Sequence, residues 1–162
     1  MSDLDEFLVP YIISQLASIV ILIVAWKKTK WGRILFALLF FWAAGTNMYL
    51  GITRPDTYRD YADLAIPAYR DFINGWFSHY SYIVIPLIAV GQFVIASGML
   101  LKGWWVNAAC IGAIIFFLSI APLMVGAAFP FSITVSIAAW LILLNDDKKY
   151  VWKKQLDHLS IS

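Results

Sequence analysis

Two side-chain amides stand inside long apolar stretches of this 162-residue sequence. Asn47 lies in RILFALLFFWAAGTNMYLGI, and Gln92 lies near the start of GQFVIASGMLLKG. An amide without a hydrogen-bond partner is costly in an apolar environment, so each side chain must face other polar groups. The simpler interpretation is a hydrogen bond that joins two helices, and the alternative is contact with a bound ligand. With two nearby hydroxyls they form the predicted polar centre, which comprises Asn47, Gln92, Thr46 and Ser97.

The elements that carry these amides are predicted to be membrane-spanning helices. The chain is 62% hydrophobic and only 14% charged, a balance typical of integral membrane proteins. Backbone groups in lipid must be hydrogen-bonded within the chain, so each long apolar run is expected to be helical. Five runs are long enough, or nearly so, to cross about 30 Å of hydrocarbon. They are residues 8–26, 34–53, 82–101, 104–121 and 131–144, and the last is expected to begin a few residues earlier.

The distribution of charge predicts how the chain is oriented. Four basic residues crowd the first connection, which the positive-inside rule places in the cytoplasm. Nine basic residues then lie inside and three outside. We therefore predict a protein of the plasma (cell inner) membrane with its N-terminus outside and its C-terminus in the cytoplasm. The first run is preceded by acidic residues and is not expected to be a cleavable signal peptide.

No other pattern in the sequence is typical of catalysis or metal binding. The five runs contain no Asp, Glu, Lys or Arg, and a single cysteine, Cys110, excludes an intramolecular disulfide. His79 and His158 are expected on opposite sides of the membrane and cannot share one metal ion. We predict no catalytic residue and no metal site. Whether the protein is an enzyme, and whether it has a cofactor, stays open.

The longest connection, residues 54–81, is predicted to form amphipathic helices on the outer membrane surface. One apolar stripe recurs at helical spacing and consists of Tyr69, Phe72, Ile73, Trp76 and Phe77. Arg70, Asp71 and Asn74 occupy the opposite face and are expected to meet water. The simpler interpretation is an aromatic anchor at the membrane interface. The alternative is a ligand lid formed by Tyr69, Phe72, Trp76 and His79.

Depth along the helices brings the two amides together. Asn47 is six residues from the outer end of its run, about 9 Å at a rise of 1.5 Å per residue. Gln92 lies about 12–15 Å from the outer end of its own run on the same rise. The two runs are antiparallel and joined by residues 54–81, so we predict a hydrogen bond between the amides, direct or through one water.

Small residues predict close helix contacts within the bundle. In the fourth run they are spaced so that another helix can approach, and they are Ala108, Ala109, Gly112 and Ala113. Gly98 and Gly103 are expected to allow close packing and a tight turn at Lys102. Pro86 and Pro130 are placed in or near the first turn of a span, where a missing N–H costs least.

The order of these motifs resembles that of the DoxX-like membrane proteins. RILFALLFFWAAGTNMYLGI, a tyrosine-rich external segment, GQFVIASGMLLKGWW and two more apolar runs carry the resemblance over about residues 31–144. It implies a four-helix core with the first run as an N-terminal addition. Arg33 and Gly45 match an arginine and a glycine of the family's first core helix, and Gly98 and Gly103 match the end of its second motif.

Two positions depart from the pattern of that family. Asn47 stands where the family usually has lysine, and Gln92 stands where it usually has glutamate. An amide pair keeps a hydrogen bond without the desolvation cost of a buried ion pair. Because the exchange removes every titratable group from the centre, any chemistry done by the family's ionisable residues is not expected here.

These observations predict an all-α polytopic membrane bundle with five transmembrane helices and short amphipathic external helices. Residues 1–30 form the N-terminal helix and basic turn, residues 31–145 the DoxX-like core, and residues 146–162 a basic cytoplasmic tail. The expected function is that of a non-catalytic subunit or accessory protein that binds a lipid, a quinone or a membrane partner, another copy of itself included. The alternatives are a membrane enzyme acting on a quinone- or sterol-like substrate and a small transporter. No nucleic-acid partner is expected.

Overall fold

The protein is a bundle of helices in a computed structural model that describes residues 3–63, 65–123 and 129–152. No strand occurs in these ranges. The main helices are α1 (Asp3–Lys27), α2 (Thr29–Thr53), α3 (Pro67–Phe72), α4 (Ser78–Leu100), α5 (Trp104–Ile120) and α6 (Phe131–Asn145). Two 3₁₀ segments, Pro55–Asp63 and Ala121–Leu123, and one π-helical segment, Ile73–Phe77, complete the described secondary structure. The all-helical prediction is confirmed.

Three helical segments are long and apolar enough to cross a membrane. They are Thr29–Thr53, Pro67–Leu100 and Trp104–Leu123. The segments Tyr11–Lys27 and Phe131–Asn145 are also apolar helices, but each is shorter than that requirement. The expectation that the last run begins before Phe131 is wrong for residues 129 and 130, which form a turn. Residues 124–128 lie outside the described part of the chain.

The helices surround one core of aromatic and small side chains. The most extensive helix contact joins α2 to α4, while α5 bridges α4 and α6, and α1 lies against α6 and α2. At the centre, the tilted rings of Phe40 and Phe117 are in contact, with centroids 5.2 Å apart. Phe36 is fully buried beside both. Aromatic pairs at this distance add stabilisation beyond the area that they bury.

Glycines set the closest helix approaches. A Cβ at Gly98 would come within 2.9 Å of the Ala109 Cβ, so α4 and α5 could not keep their spacing with a larger residue there. A Cβ at Gly51 would lie 2.8 Å from the Cδ of Pro86, which holds α2 against α4. The predicted packing role of Gly98 and of the small residues of α5, inside a single chain, is confirmed.

Residues 54–81 differ in detail from the predicted pair of surface helices. The first half is a 3₁₀ helix, and the second half continues into α4 through the π-helical segment Ile73–Phe77. The backbone is kinked within this segment at Gly75 (φ −92°, ψ −106°). Since the helix starts earlier than predicted, Pro86 lies in the interior of α4 and not in its first turn.

Candidate functional site

The predicted amide pair forms directly. The Asn47 Nδ2 group of α2 donates to Gln92 Oε1 of α4 at 2.7 Å, which confirms the predicted hydrogen bond. Gln92 is 2% exposed, and Asn47 is half-buried. Both helices present the pair inward because the contact between α2 and α4 runs along most of their length.

Tyr58 completes the pair from residues 54–81. Its hydroxyl donates to Asn47 Oδ1, so the 3₁₀ segment is fastened over the amides. Burial, with a smaller contribution from neighbouring Tyr61, raises the pKa of Tyr58 to about 12. The phenol therefore stays protonated at neutral pH and keeps donating. This role of Tyr58 was not predicted from the sequence, where the available signal was a tyrosine-rich segment that directly follows the run carrying Asn47.

Thr46 and Ser97 are not joined to the amide pair. The Ser97 hydroxyl donates to the Phe93 carbonyl of its own helix at 2.9 Å. Among the described residues, no hydrogen bond links Thr46 to Asn47 or Gln92. The polar centre of the structure is thus Asn47, Gln92 and Tyr58, which hydrogen-bond to one another.

The predicted apolar stripe of residues 54–81 divides into a packed part and an exposed part. Ile73 is buried, and Tyr69 and Phe77 pack beside it against Ala62 and Ala65. The Tyr69 hydroxyl also donates to the Ser119 carbonyl at 2.8 Å, which ties this segment to α5. The residues predicted on the opposite face of this helix are exposed, and they are Arg70, Asp71 and Asn74.

Phe72 and Trp76 do not face the bundle. They are 46% and 55% exposed and stack on one another at 5.7 Å. Tyr80 continues the stack 5.2 Å from Trp76, and His79, also exposed, lies beside Tyr80. Their ring contacts are with one another, and the lid stays a prediction.

A buried arginine organises the opposite end of the bundle. Arg33, in the first turns of α2, is fully buried, and its Nη1 donates to Asp146 Oδ1 at 2.8 Å. Its Nε donates to the Met99 carbonyl at 2.7 Å, and Nη2 donates to the Leu101 carbonyl. Nη1 also donates to the Lys149 carbonyl at 2.8 Å. A charged side chain can be buried when an opposite charge and hydrogen-bond acceptors match its charge and its donors in this way.

The same end is closed by contacts between backbone segments. Gly103 adopts φ +60° in the turn before α5, a conformation that favours glycine, and its N–H donates to the Lys148 carbonyl at 2.7 Å. The Lys148 N–H in turn donates to Asp146 Oδ1, while Asp146 Oδ2 has no hydrogen-bond partner among the described residues. We call this end, comprising residues 27–33, 101–103 and 146–152, the lysine-rich end.

One further ion pair lies at the surface of the lysine-rich end. The Lys30 ammonium is 3.2 Å from Asp147 Oδ2. Partial burial raises the pKa of Asp147, but hydrogen bonds from the Lys149 N–H and from Lys30 outweigh it, so the pKa is lowered overall. From the sequence, Lys30 was counted only as a loop charge and Arg33 as a loop charge that also matches the family's arginine, so neither ion pair was predicted. The available signal was two aspartates directly after the last apolar run.

An open apolar groove runs along the outside of the α1–α2 hairpin. It has a volume of about 450 Å³. Its walls are Val20, Ile23, Val24, Lys27, Lys28, Trp31 and Leu35. No group of three or more His, Cys, Asp or Glu side chains that could hold a metal occurs in the described ranges. His158 and the tail residues Lys153 and Lys154 lie outside those ranges.

No family model, curated protein or solved structure matches the chain. The resemblance to DoxX-like proteins accordingly stays a prediction.

Replacing Gln92 by leucine is expected to destabilise the bundle by about 0.6–2 kcal/mol, the range for hydrogen bonds between membrane helices. The loss arises because Asn47 keeps its amide but loses its acceptor. The double variant Asn47→Leu/Gln92→Leu in a Tyr58→Phe background should recover part of the loss, since no amide and no Tyr58 hydroxyl is then left unpaired. A double-mutant cycle on thermal unfolding in detergent measures the coupling. A coupling of zero would contradict the hydrogen bond.

Replacing Arg33 by methionine is expected to cost about 3–5 kcal/mol, because it leaves the Asp146 carboxylate buried without its cation. The matched control is Lys30→Met, which breaks the exposed pair with Asp147 and should cost at most about 1 kcal/mol. Unfolding of both variants in the same detergent gives the comparison. Equal losses in the two variants would show that the buried pair is not essential.

Proposed function

We propose that this chain is a small, DoxX-like plasma-membrane protein that acts as a non-catalytic subunit or accessory protein. It binds a lipid, a quinone or a membrane partner on the surface of its bundle. One observation carries the proposal: the amide pair and Tyr58 hydrogen-bond to one another, whereas an apolar groove is left open on the outside.

The hydrogen bonds of Asn47 and Arg33 argue against chemistry at these two side chains. A catalytic site needs a titratable or nucleophilic group that can reach a substrate. Asn47 uses both its oxygen and its nitrogen within the protein, and Arg33 makes four hydrogen bonds within it. The enzyme and transporter alternatives both require polar groups that face a ligand or a path, and no contact of the described residues favours either.

The DoxX-like assignment is supported by the positions that match its motifs. Asn47 and Gln92, which occupy the places of the family's lysine and glutamate, touch each other between two core helices. Arg33, at the place of the family's arginine, joins α2 to the α4–α5 turn and to the end of α6. Motif positions that meet in space are what a shared core would produce.

Five spans with the lysine-rich end in the cytoplasm form part of the proposal. Three segments have the required length and hydropathy. The helices α1 and α6 pack side by side, α1 also packs against α2, and both are apolar, which supports their crossing as well. Exposed Phe72, Trp76 and Tyr80 would then lie in the outer interface, where aromatic side chains are favoured.

Single cysteines in a Cys110→Ala background test this topology with a membrane-impermeant thiol reagent on intact cells. Three substitutions should label from outside: Ser2→Cys, Thr57→Cys and Gly126→Cys. Three should label only after permeabilisation: Lys28→Cys, Lys102→Cys and Gln155→Cys. Each proposed span has a tested position at both ends, so a helix that does not cross is identified. The reverse pattern would overturn the orientation.

Native mass spectrometry of the protein released from mild detergent tests the function. We expect the wild-type chain to carry a bound lipid or quinone, or to appear with a second protein or as an oligomer. Matched spectra after stepwise activation separate retained molecules from detergent. A bare monomer at every detergent concentration would contradict an accessory protein that binds through its surface.

A further inference from the structure

The groove on the α1–α2 hairpin is built by two facing stripes. Val20, Ile23, Val24 and Lys27 recur at helical spacing on α1, and Lys28, Trp31 and Leu35 do so across the start of α2. Only Lys28 separates the two helices, so the stripes diverge from one point at the lysine-rich end. The result is a V-shaped groove with its two lysines at the apex and its apolar walls above them.

Close packing on the other side of the hairpin fixes the groove. A Cβ at Gly32 would lie 2.8 Å from the Ala25 Cα and 3.2 Å from Ile142 Cδ1. Ala25 and Ile142 are fully buried, so α6 holds the two helices together from behind. The groove residues face away from this contact, and Val20, Ile23 and Trp31 are 55%, 45% and 59% exposed.

Within the described ranges, the charges at the apex have no ion-pair partner, unlike those beside them. Lys30 is paired with Asp147, and Arg33 is paired with Asp146. Lys27 and Lys28 are exposed, and no carboxylate of the described residues lies within ion-pair distance of either. Two aspartates therefore neutralise two of the four cations of the first connection. Within the described residues, the other two cations are left at the mouth of an apolar groove.

We infer that this groove binds an anionic phospholipid, with an acyl chain along the walls and its phosphate between Lys27 and Lys28. The volume of about 450 Å³ falls within the roughly 300–1,000 Å³ common for ligand pockets. Lysines next to an anionic membrane surface attract its lipids, and Trp31 suits the interface between headgroups and chains. This inference rests on the proposed function and specifies its ligand and its site.

Charge complementarity selects this occupant over the others that the bundle could bind. A neutral quinone would fill the apolar walls but would leave both ammonium groups without a counterion. The apolar face of a partner helix would do the same. An anionic phospholipid satisfies the apolar walls and the two cations together, and the bilayer supplies it at the depth of the lysine-rich end.

The charge test is a titration of the full chain in mild detergent with phosphatidylglycerol or phosphatidylcholine of identical acyl chains, read by native mass spectrometry. For Lys27→Gln/Lys28→Gln we expect about 10- to 30-fold weaker binding of phosphatidylglycerol and little change for phosphatidylcholine. The control Arg54→Gln/Arg59→Gln removes the same charge from exposed side chains at the other end of the bundle and should change either affinity less than twofold.

The groove test uses Val20→Trp, which fills the space between the walls, against Val90→Trp on α4. Both valines are exposed, at 55% and 51%, so neither substitution enters the core. Val20→Trp should weaken phosphatidylglycerol binding at least tenfold, whereas Val90→Trp should leave it unchanged. Thermal unfolding in the same detergent, with transitions within a few degrees of the wild type, verifies that all variants are folded.

Each adverse result has a distinct meaning. Equal losses in the two charge variants would overturn the role of Lys27 and Lys28, and undiminished lipid binding by Val20→Trp would overturn the groove. In both cases retained lipid would leave the proposed function standing. If Val20→Trp instead converts an oligomer to a monomer, the groove is a self-association surface and the lipid inference is wrong. Failure of the wild type to retain any lipid, quinone or partner would remove the proposed function itself.

Discussion

The buried contact of Arg33 with Asp146 holds together parts of this bundle that are far apart in the sequence. The two residues are 113 positions apart, yet the guanidinium also reaches the carbonyls of Met99 and Leu101. It thereby joins the start of α2, the turn between α4 and α5, and the end of α6. A cation with no exposed surface is tolerated only when its donors and its charge are matched. That requirement allows only one arrangement of these three segments.

At the opposite end of the bundle, hydrogen bonds between uncharged side chains join the segments. Asn47 and Gln92 join α2 to α4, and Tyr58 adds the 3₁₀ segment above them. An unpaired amide would be costly here, so the pair specifies which faces of the two helices meet. An ion pair thus stabilises one end of the bundle, and a hydrogen-bonded amide pair stabilises the other. A packed aromatic core lies between them.

Close helix packing closes the interior of the bundle and leaves a groove open on its surface. Inside the bundle, small residues such as Gly98 and Ala109 allow helices to approach until side chains fill the space. On the hairpin of α1 and α2, the close contact at Gly32 faces α6, and the other side is left as a groove with Lys27 and Lys28 at its end. Surface binding follows from this division more directly than chemistry inside the bundle.

Composition and local pattern by themselves determined the helical class, the approximate helix positions, the amide pair and the packing role of Gly98. These properties depend on hydropathy, spacing and depth, which can be read along one segment at a time. Tertiary structure alone decided the partners of Arg33, the hydroxyl that meets Asn47, the continuity of residues 67–100 and the existence of the groove. A polar group can satisfy its hydrogen bonds with many partners, and local sequence does not say which of them lies nearby. Only the packing of distant segments decides which partner it has.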